Sequence, residues 1–406
     1  FVIPEDKVTD LTSFLSPDGM LTWNVPEGDW IISCLEMKTT GVTNTPATPE
    51  ATGLEVDKMS KKHVSAHFDA YMGEILRRIP EADRKSLKIA VQDSVKEITF
   101  AQLLEHAHIL ASRVRQYGIM NSPVGVYIPK GCDAVTAFAA LSMSGNFYVP
   151  LDTKSPSSRV ESIITVLDTP ILITDSEHFT DLQKITDRPI LVIDNSYTDS
   201  SIQCIAIEKL MEKQIDTDPV YSIFTSGSTG IPKGVVVSHR GVIDYIDWAI
   251  ETFHIDSTSV IGNQAPFYFD NSTLDIYLMY ATGATLNIIP DTFFAFPAKL
   301  VEYLDEKKIT FVFWVPFVLV NMANFKILDS RKPQYLRDVF FAGEVMPNKH
   351  LNYWRRNMPE CRYVNLYGPT EITVDCTYYT VEREFNDDEP LPIGFPCKNS
   401  DVLILN

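Results

Sequence analysis

The sequence has few basic residues for its acidic content, and none of its cysteines lies in a C-x-x-C pair. It carries 35 Lys and Arg against 53 Asp and Glu, for a formal net charge of −18. Nucleic acid and anionic membranes attract basic faces, so neither is expected as a partner. The spacing of the six cysteines favours a reducing compartment. No apolar run approaches the ~18 residues of a membrane-spanning helix, so none is expected.

The sequence also has no internal repeat, no low-complexity tract and no signal peptide. It starts at Phe1, and we expect the natural N-terminus to lie elsewhere. A length of 406 residues predicts two or three structural units. Hydrophobic residues make up 45% and charged residues 22%, which is typical of a globular protein.

The most informative segment is a loop with the sequence Thr225-Ser-Gly-Ser-Thr-Gly-Ile-Pro-Lys-Gly234. It lies between two β-type runs, at 221–224 and 235–237. Glycines let backbone N–H groups approach phosphate oxygens, the hydroxyl groups add donors, and Lys233 adds a positive charge. The spacing differs from G-x-x-x-x-G-K-[ST], so this is not a Walker A loop. We predict a loop that binds nucleotide phosphates.

This loop resembles the signature loop of the adenylate-forming superfamily, which includes amino-acid adenylation domains and acyl-CoA ligases. Further motifs similar to those of the superfamily are Ser142–Asp152, Phe267–Asp275, Gly343-Glu344, Asn365–Glu371 and Pro392–Pro396. The resemblance covers residues 88–406 and is nearest to domains of the nonribosomal peptide synthetase and D-alanine carrier-protein ligase type. It implies the large α/β domain of these enzymes, with mainly parallel sheets flanked by helices.

Hydrophobic periodicity along residues 98–406 independently predicts an α/β fold. Thr99 and Gln102 form a capping box before a helical pattern that ends by Gly118. The predicted strands are 124–128, 171–174, 190–193, 285–289, 310–315, 339–342 and 363–366, and predicted helices include 134–143, 241–253 and 299–307. Such alternation favours parallel sheets whose ligands bind at the carboxyl ends of strands.

The resemblance implies ATP and Mg²⁺ as cofactors. The residues it places near ATP are Thr225, Ser226, Gly227, Ser228, Thr229, Gly230, Lys233, Gly343, Glu344, Asn365, Leu366, Tyr367, Gly368, Pro369 and Thr370. Lys233, Thr370 and Glu371 would be catalytic: Thr370 contacts the α-phosphate and Glu371 supplies an oxygen for Mg²⁺, while Tyr367 offers a flat face to adenine. Alternative interpretations remain: a solvated lysine, a strand-to-helix turn at Gly343-Glu344, and a helix cap at Thr370.

Asp270 indicates the class of substrate. In amino-acid adenylation domains, an aspartate in a similar Phe-Asp-x-Ser context pairs with the substrate α-ammonium group. The alternative is an N-cap for a helix at 272–281. The resemblance places the rest of the substrate pocket at Val374, Phe313, Phe340 and Leu366, with Asn271, Leu274, Ala342 and Asp375 beside them. Asp375 would admit a polar or cationic side chain, whereas the two phenylalanines limit the volume.

The implied function is ATP-dependent activation of an amino acid as an aminoacyl-adenylate, with release of pyrophosphate. The product would be transferred to the phosphopantetheine thiol of a carrier protein, and the cytoplasm is the expected location. An acyl-CoA or aryl-acid ligase, a catalytically incomplete chimeric fragment and a glycoside hydrolase are the alternatives. The superfamily pattern continues with a ribose-binding Thr-Gly-Asp motif, a hinge and a domain with a catalytic lysine, none of which occurs before Asn406. We therefore expect impaired turnover from these residues alone.

Residues 1–87 carry a separate resemblance, through Thr39–His63, to the family 106 glycoside hydrolases, which are α-L-rhamnosidases. The pattern predicts strands at 20–25 and 30–37 and a helix at 57–79. The carboxylates that a glycosidase would need are Glu50, Glu55, Asp57 and Asp69. About 88 residues are too few for a barrel of ~250 residues, so we interpret these groups as surface charges. A chimera, a gene-model error or a metagenomic join would explain the fusion.

Overall fold

The structure is a computed structural model, and it describes residues 21–22, 87–193, 207, 211, 213–225 and 232–403. Several sequence predictions therefore lie outside the described residues. These are most of the N-terminal hairpin, the helix at 57–79, the carboxylates Glu50, Glu55, Asp57 and Asp69, and the loop residues Ser226, Gly227, Ser228, Thr229 and Gly230.

Two β-sheets form the framework of the described chain. The strands are β1 (Leu21–Thr22), β2 (Ile89–Gln92), β3 (Glu97–Thr99), β4 (Pro123–Tyr127), β5 (Phe147–Pro150), β6 (Leu172–Asp175), β7 (Ile190–Ile193), β8 (Pro219–Thr225), β9 (Lys233–Ser238), β10 (Val260–Asn263), β11 (Thr285–Ile288), β12 (Phe311–Trp314), β13 (Asp338–Phe341), β14 (Arg362–Tyr367), β15 (Thr377–Thr380) and β16 (Pro392–Pro396). Most are short and rich in β-branched and aromatic residues, as buried strands usually are.

The larger sheet has ten strands in the order β1-β16-β15-β14-β13-β12-β10-β11-β2-β3. Its centre, from β2 to β14, is parallel, and antiparallel strands close both sides. Parallel strands end on the same edge, so the segments that follow β10, β12, β13 and β14 lie together. The predicted site residues 270, 343 and 370 all fall in or just after these segments.

The smaller sheet has six strands in the order β7-β6-β4-β5-β8-β9. All neighbours are parallel except β8 and β9, which form an antiparallel hairpin. In that hairpin Thr225 pairs with Lys233, so both ends of the predicted phosphate loop are held by one ladder.

Helices connect the strands and cover the sheets. They are α1 (Phe100–Arg115), α2 (Cys132–Met143), α3 (Ser157–Leu167), α4 (Phe179–Gln183), α5 (His239–Phe253), α6 (Asn271–Thr282), α7 (Pro297–Glu306), α8 (Pro316–Asn324) and α9 (Asn348–Asn357). The predicted capping box of α1 is confirmed: the Thr99 hydroxyl accepts from the Gln102 amide, and the Gln102 side chain accepts from the Thr99 amide. Gly118, three residues beyond the helix, has the left-handed φ of +69° that its position as a stop requires.

Helices α2 and α6 are buried over most of their length and join the two sheets in one core. Their small and aromatic side chains permit close packing on both sides. Two tyrosines of α6 satisfy their hydroxyl groups across this core: Tyr277 with Tyr148 of β5 at 3.1 Å, and Tyr280 with the Val135 carbonyl of α2 at 2.9 Å. Helix α6 is therefore fixed in place, and so is the site residue at its start.

The predicted α/β fold with mainly parallel sheets is confirmed, and the strands and helices predicted within residues 98–406 agree with the observed ones within a few residues. Strand β10 was not predicted, because Val260-Ile-Gly-Asn263 is short and ends in residues that favour turns. Of the predicted strand at 20–25, the structure describes Leu21–Thr22, paired antiparallel with β16.

Candidate active site

The candidate site lies at the carboxyl ends of the parallel strands of the larger sheet. Asp270 precedes α6, which follows β10; Gly343 follows β13; and Thr370 follows β14. The structure thus brings together three motifs that are far apart in the sequence. This is the edge at which the sequence predicted a ligand.

Asp270 and Thr370 lie close together. The Thr370 hydroxyl is within reach to act as a hydrogen-bond donor toward the Asp270 carboxylate, and so is the Asn271 amide. Burial raises the pKa of Asp270 above its ordinary value, those hydrogen bonds oppose the rise, and the nearby Glu371 carboxylate adds to it. Asp270 occupies the N-cap position of α6 but forms no capping hydrogen bond with its side chain. The carboxylate instead faces the Thr370 motif.

The Thr370 motif is a short 3-10 helix, Thr370–Ile372, whose N-cap position is held by Pro369. Thr370 is therefore the first residue of this turn and not its cap. Thr370 is half-buried, whereas Glu371 is exposed. An exposed carboxylate beside a hydroxyl can complete the coordination of a hard cation that is also bound by phosphate oxygens. Among the described residues no group of three or more His, Cys, Asp or Glu side chains forms a metal cluster, so Glu371 would depend on the nucleotide for further ligands.

Gly368 and the residues after Ile372 form a tight structure. A Cβ atom on Gly368 would lie 2.4 Å from the Val374 carbonyl oxygen, so only glycine fits there. Thr373 and Val374 have φ values of +69° and +71°. Such values are uncommon for β-branched residues and are found mostly where the surrounding structure holds the backbone in place.

Two other residues of β14, Asn365 and Tyr367, were predicted to contact the nucleotide. The Asn365 side-chain amide donates to the Pro392 carbonyl at 2.8 Å and so ties β14 to β16. Tyr367 is half-buried, and burial raises its pKa to about 12, so its hydroxyl stays protonated. The Tyr367 ring remains a candidate face for adenine, while the Asn365 side chain is already engaged.

Gly343 and Glu344 are exposed at the end of β13. Gly343 has a φ of +88°, which glycine adopts without strain. The Glu344 carboxylate accepts from the Phe317 amide at 3.2 Å, at the positive N-terminus of α8. The Glu344 side chain thus joins two of the segments at this edge of the sheet.

The predicted substrate pocket is lined by buried residues. Phe313, Phe340, Leu366 and Val374 are each at most 2% exposed. Phe340 packs edge-to-face against Phe253 and Phe311, with ring centroids 4.5 and 4.8 Å apart. These side chains belong to the core as much as to a pocket, so their positions are rigid.

Asp375 is the buried polar residue of this group. Its carboxylate accepts a hydrogen bond from the Tyr245 hydroxyl at 2.6 Å. The residue is 4% exposed. Burial raises the pKa of Asp375 to about 8, the Tyr245 hydrogen bond opposes the rise, and the charge of Asp270 adds to it. Sequence reasoning missed Tyr245, because the helical pattern of α5 predicts its burial but not the partner of its hydroxyl.

At the hairpin, Thr225 is half-buried and Lys233 is exposed. Their pairing places the Lys233 backbone beside the last residue of β8. The prediction of a strand, a loop and a second strand is confirmed at both ends of the loop.

A cleft of about 650 Å³ lies elsewhere on the described structure, between the β2–β3 turn and α7. Its lining includes Lys96, Phe293, Glu302 and Tyr303, and none of the predicted site residues. Its walls carry charges of both signs. The residues predicted from the sequence to carry the chemistry therefore lie outside this cleft. In the described helices, no segment is both long and apolar enough to cross a membrane.

Comparison with known proteins agrees with this geometry. The sequence model of the AMP-binding enzyme family matches residues 80–406. The chain belongs to the AMP-binding enzyme family. A second family model, described as alpha-L-rhamnosidase, matches residues 1–102 and overlaps the first. The predicted boundary near residue 88 lies in the overlap and stays a prediction.

Several curated proteins are similar to this member of the AMP-binding family. A D-alanine--D-alanyl carrier protein ligase of Bacillus cytotoxicus is 31% identical over 76% of the chain and 61% of its own length. An L-proline--[L-prolyl-carrier protein] ligase of Pseudomonas fluorescens is 32% identical over 72% of the chain and 61% of its length. Zwittermicin A synthase ZmaJ of Bacillus cereus is 28% identical over 79% of the chain and 61% of its own length. The chain spans about three fifths of the length of these relatives.

Solved structures support the same family fold. The nonribosomal peptide synthetase FmoA3 bound to α-methyl-L-serine-AMP superposes with a TM-score of 0.72 at 26% identity, over 80% of this chain and 36% of that one. The structure of VinN superposes with a TM-score of 0.69 over 81% of each chain, and at 21% identity it bears on the fold alone.

Proposed function

We propose that this AMP-binding family chain is the large domain of an amino-acid adenylating ligase. The carboxylate of an amino acid attacks the α-phosphate of ATP, the bond to the β-phosphate breaks, and pyrophosphate leaves. The phosphopantetheine thiol of a carrier protein then attacks the acyl carbon of the adenylate. A thioester forms, the thiol loses its proton, the bond to the phosphate oxygen breaks, and AMP leaves. Carrier-protein ligases among the relatives and the aminoacyl-AMP bound to FmoA3 support this assignment. Use of ATP and a carrier protein suggests the cytoplasm as location.

The contact between Asp270 and Thr370 carries the proposal. A substrate α-ammonium group paired with Asp270 would lie beside the hydroxyl group of the nucleotide motif. Its carboxylate would then be close to the α-phosphate, and both reactants are anions, so positioning and charge neutralisation supply the catalysis. An ammonium ion would also relieve the repulsion between Asp270 and Glu371.

The nucleotide would be held from two sides. We assign the β- and γ-phosphates to the hairpin loop from Thr225 to Lys233, and the α-phosphate to the Thr370 hydroxyl. Gly343, Glu344 and the face of Tyr367 would contact the nucleoside. Bound magnesium neutralises charge that develops on the phosphates, and Glu371 is the residue that would hold it.

For the substrate side chain we assign Phe313, Phe340, Leu366 and Val374 as apolar walls. Asp375 would contact a polar group of the side chain. The domain itself would extend from about residue 88, since β2 starts at Ile89 and pairs with β11 inside the larger sheet.

The rival activity is an acyl-CoA or aryl-acid ligase, whose substrates have no ammonium group to pair with Asp270. ATP–pyrophosphate exchange with the proteinogenic amino acids and D-alanine separates the two. The assay is run on the 406-residue chain and on the longest naturally encoded protein that contains it. Amino-acid-dependent exchange supports the proposal, whereas exchange with fatty or aryl acids alone contradicts it. Release of rhamnose from an aryl rhamnoside would instead support a glycosidase.

A further inference from the structure

The residues after Glu371 lie against one face of helix α5. Gly241 and Tyr245 are four positions apart in this helix, so they share a face. Helix α5 begins directly after β9, the second strand of the phosphate-loop hairpin. Whatever this face contacts is therefore linked to the nucleotide loop by a single strand.

Gly241 contacts Thr373 at very short range. A Cβ atom on Gly241 would lie 2.6 Å from the Thr373 hydroxyl oxygen, and the other Thr373 atoms would be at ordinary distances of 3.6 and 3.7 Å. Alanine is a better helix former than glycine, so helix stability does not explain a glycine here. The close approach of Thr373 does.

Tyr245 contacts the same turn two residues later, through its hydrogen bond to Asp375. On the other side, Gly368 approaches the Val374 carbonyl so closely that no Cβ atom would fit. The segment Thr373–Asp375 is thus enclosed between α5 and the end of β14. This enclosure accounts for two consecutive β-branched residues with left-handed backbone angles.

We propose that Gly241 and Tyr245 are positioning residues that set the affinity of the site for its amino acid, by holding the left-handed turn Thr373–Asp375. The inference rests on the proposed function. Thr370 and Glu371 precede this turn in the short helix Thr370–Ile372, and the pocket residues Val374 and Asp375 lie in the turn. A displacement of the turn by α5 would move Val374 and Asp375 relative to Asp270, whereas Thr225 and Lys233 are held by the pairing of β8 with β9.

The first test uses Gly241→Ala with two second-site variants. The added methyl group clashes with one atom, the Thr373 hydroxyl oxygen. Gly241→Ala should raise the KM for the amino acid at least about tenfold, with the KM for ATP changed by less than about twofold. Adding Thr373→Ala removes the clashing atom and should restore amino-acid affinity. Adding Thr373→Val keeps an atom at that place and should not.

Two outcomes would overturn the inference: an unchanged amino-acid KM in Gly241→Ala, or equal losses for ATP and amino acid that Thr373→Ala does not restore. Gly125→Ala is the matched control, because its Cβ atom would meet Leu172 at 2.7 Å in the smaller sheet, away from the site. It should lower Tm without changing either KM.

Tyr245→Phe provides a second test if Gly241→Ala does not fold. It removes only the hydroxyl group that donates to Asp375. We expect a higher KM for the amino acid and an unchanged KM for ATP. Tyr280→Phe is its control, since that hydroxyl donates to the Val135 carbonyl in the core. Equal effects of the two tyrosine variants on amino-acid KM would reject a positioning role.

The amino acid used is the one that gives the fastest exchange with the unaltered protein. Absence of exchange with every amino acid would refute the proposed function itself. Exchange by the unaltered protein together with unaffected Gly241 and Tyr245 variants would refute only the positioning role.

Discussion

The Thr370 hydroxyl lies within hydrogen-bonding reach of the Asp270 carboxylate, at the place where the turn after β14 approaches the start of α6. The half-buried Asp270 carboxyl thus lies beside the nucleotide motif. Burial and the charge of Glu371 both raise the pKa of Asp270, so a cation bound there would favour its ionised form. A substrate ammonium group is the cation that fits the proposed reaction.

Asp270→Asn should lower kcat/KM for the amino acid by about 10- to 100-fold, the range expected when a hydrogen bond to a charged group is lost. Asparagine keeps the size of the side chain, so the fold should persist. AMPPNP binding, measured by calorimetry, should change little. Asp275→Asn is the control, since Asp275 is a buried carboxyl on the same helix but outside the proposed pocket. Amino-acid activation that survives in Asp270→Asn and Asp270→Ala would contradict the assigned role.

Lys233→Ala should raise the KM for ATP by about two- to fivefold, because an exposed charge contributes on the order of 0.5–1 kcal/mol. The amino-acid KM should not change. The effect should shrink as salt is raised from 50 to 500 mM, since exposed charges are screened. Lys299→Ala, an exposed lysine of α7, serves as the control. An ATP affinity that is equal in both variants and at both salt concentrations would mean that Lys233 is only a solvated side chain.

Stability should fall as the pH rises from about 4 to about 8. Burial raises the pKa of Asp275 to about 8, and its Asn263 hydrogen bond and Lys130 only partly oppose this. In the unfolded chain this carboxyl loses its proton near pH 4, its ordinary pKa, whereas in the folded state it keeps the proton up to about pH 8. The free energy of unfolding therefore decreases as the pH rises between these two values. The contribution of Asp275 to the free energy of unfolding is complete below about pH 4 and lost above about pH 8.

Urea unfolding of Asp275→Asn should show a flatter dependence on pH than that of the unaltered chain. Some slope should remain, because the pKa of Asp375 is also raised to about 8. The double variant with Asp375→Asn should be flatter still. A slope that is the same in all three proteins would exclude these carboxyls as its source.

Thr99→Ala should lower the free energy of unfolding by about 1 kcal/mol, the usual cost of losing an N-cap. Its hydroxyl accepts from the Gln102 amide at 3.2 Å, and the reciprocal bond is 2.9 Å. Gln102→Ala should cost less, because it leaves the Thr99 cap intact. Thr165→Ala, at an exposed position of α3, should change stability by less than about 0.5 kcal/mol. The free energies of unfolding of the three variants are measured by chemical denaturation. Equal decreases in all three would argue against a stabilising N-cap at Thr99.

Much of the fold follows from local pattern. The helix after Thr99, the hairpin around the phosphate loop and the strands that precede Gly343 and Thr370 were all predictable. Their periodicity and turn residues act over a few positions, so neighbours in sequence determine them. Strand β10 was harder to predict from the sequence, because Val260–Asn263 is stabilised by pairing with β11 and β12 on either side and not by its own composition.

By itself, the sequence determined which residues are candidates for the chemistry: the glycine-rich loop, Asp270, and Thr370 with Glu371. Residue type and spacing decide those properties. Only the tertiary structure decided that Asp270 contacts Thr370, that Tyr245 donates to Asp375, and that Gly241 must lack a side chain beside Thr373. The reason is physical, because hydrogen-bond partners, buried charges and close atomic approach depend on which distant segments the sheets bring together.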